Sequence, residues 1–270
     1  MIDVCPVRWG IDKKCSWHFL GDAAVKERSG LHRCAGSGIM KRILVVEDET
    51  SIREVIALNL KMAGYEVTEA ASAEEGLEKI TAEGEHDVAI LDIMLPGMNG
   101  FSLCEQLRRE HARMGIIMLS AKTQEADKIS ALSIGADDYM TKPFSVSELL
   151  ARIEALCRGV SRSVDNRDAA DGRLVSGRFV LDSRSHMLFK EGKAIDLTQV
   201  EFQIMDLFFH NPGVALVRDK ILEGVWGPNY FGDVKIVDVN IRRLRMKIED
   251  KPSDPRHILT VWGYGYRWAE

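Results

Sequence analysis

Five short aliphatic runs, each followed by a helix-length amphipathic stretch, fill residues 40–157 and constrain the fold more than any other feature. Residues 43–46 (ILVV) are apolar at every position, the pattern of a strand covered on both faces of a parallel sheet. Comparable runs stand at 65–70, 87–92 (DVAILD), 115–120 and 137–141. Between them the 3.6-residue period predicts helices over 50–63, closed by Gly64, and over 72–83, where Ser72 and Glu75 suggest a capping box. Further helices are expected over about 101–110, 123–133 and 146–157. Five βα units in succession predict an open α/β domain, a doubly wound five-stranded parallel sheet.

In such sheets functional groups gather at the C-terminal ends of the strands. Those positions are Glu47 and Asp48, Asp92, Ser120 and Lys142. Three converging carboxylates repel one another and call for a cation, and an all-oxygen, partly hydrated site suits Mg2+. Beside such an ion one carboxylate can act as a nucleophile toward phosphorus and form an acyl phosphate. Lys142 supplies a point charge for phosphoryl oxygens and the Ser120 hydroxyl a hydrogen bond. Residues 40–158 carry 13 basic against 21 acidic residues, a balance of −8 within a chain of net −5, which fits a cationic ligand.

Residues 159–173 (GVSRSVDNRDAADGR) are small and polar and read as a linker. Beyond them, over 174–270, short β-prone pieces lead into a helix opened by Thr198 and Glu201, another capping box. A helix over about 218–225, a loop over 227–234, a helix over 235–249 and an aromatic hairpin over 259–268 complete an α+β winged helix-turn-helix pattern. On a 100° wheel Val237, Ile241, Leu244 and Ile248 form an apolar back, while Lys235, Val239, Arg242, Arg243 and Met246 lie opposite. An apolar back and a basic front suit a helix laid in the major groove of double-stranded DNA. Arg243 is then the candidate base reader and Val239 a contact for a thymine methyl. Lys235, Asn240 and Arg245, toward the flanks, are candidates for phosphate.

Four separated stretches, VVEDE, LDIMLPGMNG, LSA and GADDYMTKPF, resemble the signatures of the receiver domains of two-component signalling over about residues 40–158. The resemblance implies a CheY-like, flavodoxin-like fold with Asp92 as phosphoacceptor. It implies Mg2+ held by Glu47, Asp48, Asp92 and the Met94 carbonyl, and a cis peptide between Lys142 and Pro143. Ser120 and Tyr139 take the switch positions. It also implies a homodimer formed on phosphorylation, with Lys128 pairing with Glu148, and Asp138 with Arg152, across a two-fold axis. Met94 and Lys122, two residues after Asp92 and Ser120, are poor groups for orienting an attacking water. Slow self-dephosphorylation is therefore expected.

LTQVEFQIMDLFFHNPG, VWGPNYFGD, VDVNIRRLRMKIE and TVWGYGYRW resemble the output domain of OmpR/PhoB-type regulators over about 174–270. That resemblance implies promoter DNA as ligand, a sensor histidine kinase as phosphodonor, and a loop over 226–234 able to touch RNA polymerase. It makes the final hairpin the wing. Trp262 stands where many relatives have Arg, so Arg267 or the glycine amides become the candidates for backbone contact. The expected function is a phosphorylation-activated transcriptional regulator that is no enzyme beyond its own phosphoryl chemistry. The alternative is a phosphotransfer protein acting through protein contacts with little DNA binding. No apolar run reaches the roughly 20 residues that span a bilayer, which predicts a cytoplasmic protein without a membrane partner. Cys5, Cys15, His18, His32 and Cys34 match no metal-ligand spacing, so residues 1–39 are expected to be a disordered extension or an early start.

Overall fold

A computed structural model describes residues 40–121, 125–157, 172–228, 230 and 232–270, with backbone alone for 125–129. The expectations for residues 1–39 and for most of the linker lie outside these residues. Among the described residues no helix is long and apolar enough to cross a membrane.

The first half is a parallel sheet of β1 (Arg42–Val46), β2 (Glu66–Ala70), β3 (Val88–Asp92), β4 (Gly115–Ser120) and β5 (Asp138–Thr141). Its order is β2-β1-β3-β4-β5, so the order in which strands are added reverses between β1 and β3 while all of them run parallel. That reversal leaves a crevice at the strand ends, where ligands of such sheets bind. The helices are α1 (Thr50–Met62), α2 (Ala73–Glu83), α3 (Gly100–Glu110), α4 (Glu125–Ile134) and α5 (Val146–Cys157). α1 packs beside α5, and α3 beside α4. The central strands β3 and β4 are buried at every position, as residues apolar up to the last one require, and their polar final residues, Asp92 and Ser120, are buried with them. Ser72 caps α2 as expected, accepting from the Glu75 amide at 3.2 Å. The capping box itself is displaced: Glu75 Oε2 accepts from Ala71, one residue earlier, at 2.6 Å. Cys104 and Cys157 are buried, and burial pushes the Cys104 thiol up to about 12.

The second half opens with an antiparallel sheet of β6 (Arg173–Ser176), β7 (Phe179–Asp182), β8 (Met187–Lys190) and β9 (Lys193–Ile195), in that order. β6 starts one residue inside the segment read as linker, because Arg173 pairs with Asp182. Then come α6 (Gln199–Phe209), β10 (Ala215–Val217), α7 (Arg218–Trp226), α8 (Lys235–Ile248) and the hairpin β11 (Ile258–Val261) and β12 (Gly265–Trp268). Thr198 and Glu201 form the predicted capping box at α6. Trp268 is wholly buried among Phe179, Phe209 and His257, with its indole donating to Ser176 Oγ at 2.8 Å. β10, unforeseen in the sequence, pairs with β12, and Gly265 permits it: a Cβ there would stand 2.0 Å from the Leu216 carbonyl oxygen.

Candidate functional site

The residues expected at the strand ends converge. Glu47 follows β1, its amide donating to the Ala70 carbonyl at 3.1 Å, and its side chain is fully buried. Asp92 ends β3 and Ser120 ends β4, both buried. Lys142 follows β5 with its amide on the Ser120 carbonyl at 2.7 Å, and the Lys142-Pro143 peptide is cis. Carboxylate oxygens of Glu47, Asp48 and Asp92 all lie within 4.8 Å of one another. Lys142 Nζ donates to both Glu47 oxygens, at 2.8 and 2.7 Å, and to Asp92 Oδ2 at 2.8 Å.

One ammonium therefore faces three carboxylates, a surplus of negative charge that suits a hard cation. Burial, followed by repulsion from Asp92, pushes the Glu47 carboxyl above the ordinary glutamate range, although Lys142 opposes the shift. Burial works against the charge on Lys142 too, but hydrogen bonds to Asp92 and Glu47 outweigh it and hold the ammonium above its usual range. The Met94 amide donates to Asp92 Oδ1 at 3.1 Å and fixes the rotation of that carboxylate, while the Met94 side chain is exposed. Gly100 supports the same residue from behind: a Cβ there would fall 2.0 Å from the Asp92 carbonyl oxygen. Lys122 lies outside the described residues.

Within one chain, residues of the expected pairing face bond to one another. Arg152 Nη1 donates to both Asp138 oxygens at 2.7 Å within one chain. Glu148, one helical turn earlier, accepts from Arg152 Nη2 at 2.7 Å, and the Lys128 side chain lies outside the described residues. The closure is local because β5 delivers Asp138 directly beside α5. Tyr139 is buried on β5. A residue that sequence reasoning missed completes the cluster. The Tyr230 hydroxyl donates to Asp138 Oδ1 at 2.8 Å, and the Arg152 guanidinium stands 4.6 Å over its ring.

On α8 the predicted core stripe, Val237, Ile241, Leu244 and Ile248, is buried. Lys235, Arg242 and Met246 are exposed, as is Arg267 on β12. Val239 is half-buried. Arg243 Nε lies 3.3 Å from Glu201 Oε1, an ion pair without hydrogen-bond geometry, and its Nη1 donates to the Ala136 carbonyl at 3.2 Å. Two flank residues do not reach outward. Asn240 is fully buried and donates to the Ile236 carbonyl at 2.9 Å. Arg245 donates to the Ile258 carbonyl at 3.0 and 2.7 Å and to Thr260 Oγ1 at 2.8 Å. The helix is gripped on two sides, which a single-stripe wheel does not anticipate. Trp262, at the hairpin turn, is 92% exposed.

Glu201 was legible only as a cap. It is wholly buried and holds Lys247 as well, at 2.6 Å. Burial opposes its ionisation, but Arg243 and Lys247 prevail and hold the carboxyl below the ordinary range.

Residues 43–154 match the family described as response regulator receiver domain, and residues 192–268 match the family described as transcriptional regulatory protein, C terminal. The sensory transduction protein RegX3 of Mycolicibacterium smegmatis is 40% identical over 230 residues, which cover 84% of this chain and 99% of that protein. Among solved structures, a mutant of RitR is similar with a TM-score of 0.67 and 26% identity, over 84% of this chain and 98% of the other. DrrB, a Thermotoga maritima OmpR/PhoB homolog, is 30% identical over 86% of this chain and 100% of its own, with a TM-score of 0.47.

Proposed function

Because this chain belongs to the two-component response regulators of the OmpR/PhoB type, a receiver domain joined to a transcriptional regulatory domain, we propose that Asp92 is the residue phosphorylated in signalling. The observation that carries the proposal is Lys142 bridging Glu47 and Asp92 beside Asp48, at the ends of β1, β3 and β5. An Asp92 oxygen attacks phosphorus as the bond from phosphorus to a histidine nitrogen of the sensor kinase breaks, and the departing imidazole takes a proton from solvent. Lys142 turns from the carboxylate to the phosphoryl oxygens, and the Ser120 hydroxyl donates to another. The oxygen-only donor set of Glu47, Asp48, Asp92 and the Met94 carbonyl fits Mg2+, which supplies positive charge against the incoming phosphoryl group. The chain works in the cytoplasm, where its kinase presents the phosphohistidine.

The phosphorylated chain pairs as a homodimer through the face of Asp138, Glu148 and Arg152, with Lys128 contributing from α4, and Tyr139 reports the state of the pocket to that face. The dimer lays α8 of each copy in the major groove of promoter DNA. Arg242 and Lys235 are the basic groups on its outward side, with Val239 beside them and Arg267 on the hairpin toward the backbone, and Arg243 reaches a base once it leaves the Ala136 carbonyl. The loop over 226–234 is the surface for RNA polymerase. The test is intact-mass analysis after incubation with acetyl phosphate and Mg2+. Wild type should gain one phosphoryl group and Asp92→Asn none. Equal labelling of both overturns the assignment.

A further inference from the structure

Three contacts join the two halves of the chain at the face just assigned to dimerisation. Tyr230, in the loop between α7 and α8, donates to Asp138 Oδ1 at 2.8 Å and lies 4.6 Å beneath the Arg152 guanidinium. Trp226, at the end of α7, supports the Tyr230 ring from 5.9 Å. Arg243 Nη1 donates to the carbonyl of Ala136, just ahead of β5, at 3.2 Å. α8 itself packs along α4. The helix that would enter DNA and the ion pair that would meet a second copy are thus covered by the same contact.

The chemistry of Tyr230 suits a reversible clasp. Burial first, and then the neighbouring Asp138 charge, hold its hydroxyl well above the ordinary tyrosine range, so it stays a donor. Its acceptor is one of the two oxygens that Arg152 already binds, so the phenol adds to the buried ion pair without replacing it. A second copy offering a guanidinium or ammonium to Asp138 would need the position that the phenol now occupies.

We propose that Tyr230 is an intramolecular latch: it closes the output half onto the pairing face, and its release uncovers α8 and the surface of Asp138 and Arg152 in one step. This rests on the reading that phosphorylation controls DNA binding, and it names the group that holds the unphosphorylated state shut. A population argument sets the effect. If closure lowers the fraction competent for DNA, loosening the latch raises apparent affinity by the same factor, and a chain already open gains nothing.

The experiment uses the full chain, wild type and Tyr230→Phe, with Tyr230→Ala as a second variant that also removes the ring. Amide hydrogen exchange is followed without phosphorylation, and binding to a random-sequence DNA duplex with and without acetyl phosphate. Tyr230→Phe should speed exchange in α8 and at 136–138 and tighten DNA binding of the unphosphorylated chain about tenfold. The phosphorylated chain should change by less than about twofold, since its latch is already open. Tyr230→Ala should go further in the same direction. Wild-type exchange in both variants overturns the latch, whatever the DNA result. Faster exchange in a protein whose wild-type affinity ignores phosphorylation keeps the latch and overturns phosphorylation control.

Discussion

Lys142 Nζ stands 2.7 Å from Glu47 Oε2 and 2.8 Å from Asp92 Oδ2, so a single ammonium spans two of the three carboxylates in the pocket. Lys142→Met leaves that negative charge unopposed and removes the cation that would meet the phosphoryl oxygens. Phosphorylation by acetyl phosphate should slow about a hundredfold, the scale of losing one aligned charge donor. Rates from intact-mass time courses check it.

Asp48 is the exposed member of the three, so replacing it disturbs folding least. Asp48→Asn should weaken Mg2+ binding by roughly tenfold or more, because a hard cation selects charged oxygen ligands. The melting temperature in chelator should be unchanged. Titration calorimetry with Mg2+ beside a thermal melt separates the two effects.

Gly100→Ala forces a Cβ to within 2.0 Å of the Asp92 carbonyl oxygen, a side-chain carbon fixed to its own backbone against the backbone of β3, which cannot yield without moving the strand. Overpacking of that kind costs about 3 kcal/mol. Denaturant unfolding should show it, and phosphoryl acceptance should fall with it because the acceptor itself is displaced.

Arg242 and Arg245 lie three residues apart on α8 and should respond in opposite ways. Arg242 is exposed, so Arg242→Ala should weaken DNA binding, lower the slope of log affinity against log salt by about 0.9, and leave stability alone. Arg245 is bound to the Ile258 carbonyl and to Thr260. Arg245→Ala should lower the melting temperature and detach the hairpin. Salt titrations and melts on both variants check the pair.

Glu201 gives a pH dependence whose sign follows from its partners. Its carboxyl is buried, yet Arg243 and Lys247 hold it below the ordinary range, so the folded chain takes up its proton less readily than the unfolded chain. Its stabilisation is complete above the unfolded value and is lost as pH falls through the lower folded one, from about pH 5 downward. Glu201→Gln should cost roughly 3 kcal/mol at neutral pH by stranding two cations. It should also flatten the acid limb of the stability curve.

What the sequence disclosed follows physical periodicity. Strands buried on both faces leave unbroken aliphatic runs, and the pocket residues sit where those runs stop, so Glu47, Asp92, Ser120 and Lys142 were readable together. β10 was not, because the three residues Ala215–Val217 are too few to carry a period. Asn240 and Arg245 were misjudged for a related reason. A helical wheel marks one buried stripe, whereas α8 is held by α6 on one side and by β11 on another. Tyr230 sits in a loop, where no repeat indicates what a side chain will meet.

The hydrogen bonds of Arg245 also bear on how target sites are chosen. They tie α8 to β11, and the Asp238 carboxylate reinforces the tie by accepting from the Tyr266 hydroxyl at 2.7 Å. Helix and hairpin thus form a caliper of set gape. A rigid caliper does not adapt to the duplex, so the duplex must supply the matching groove geometry, and stiff or mis-sized steps are discriminated against at positions no side chain touches.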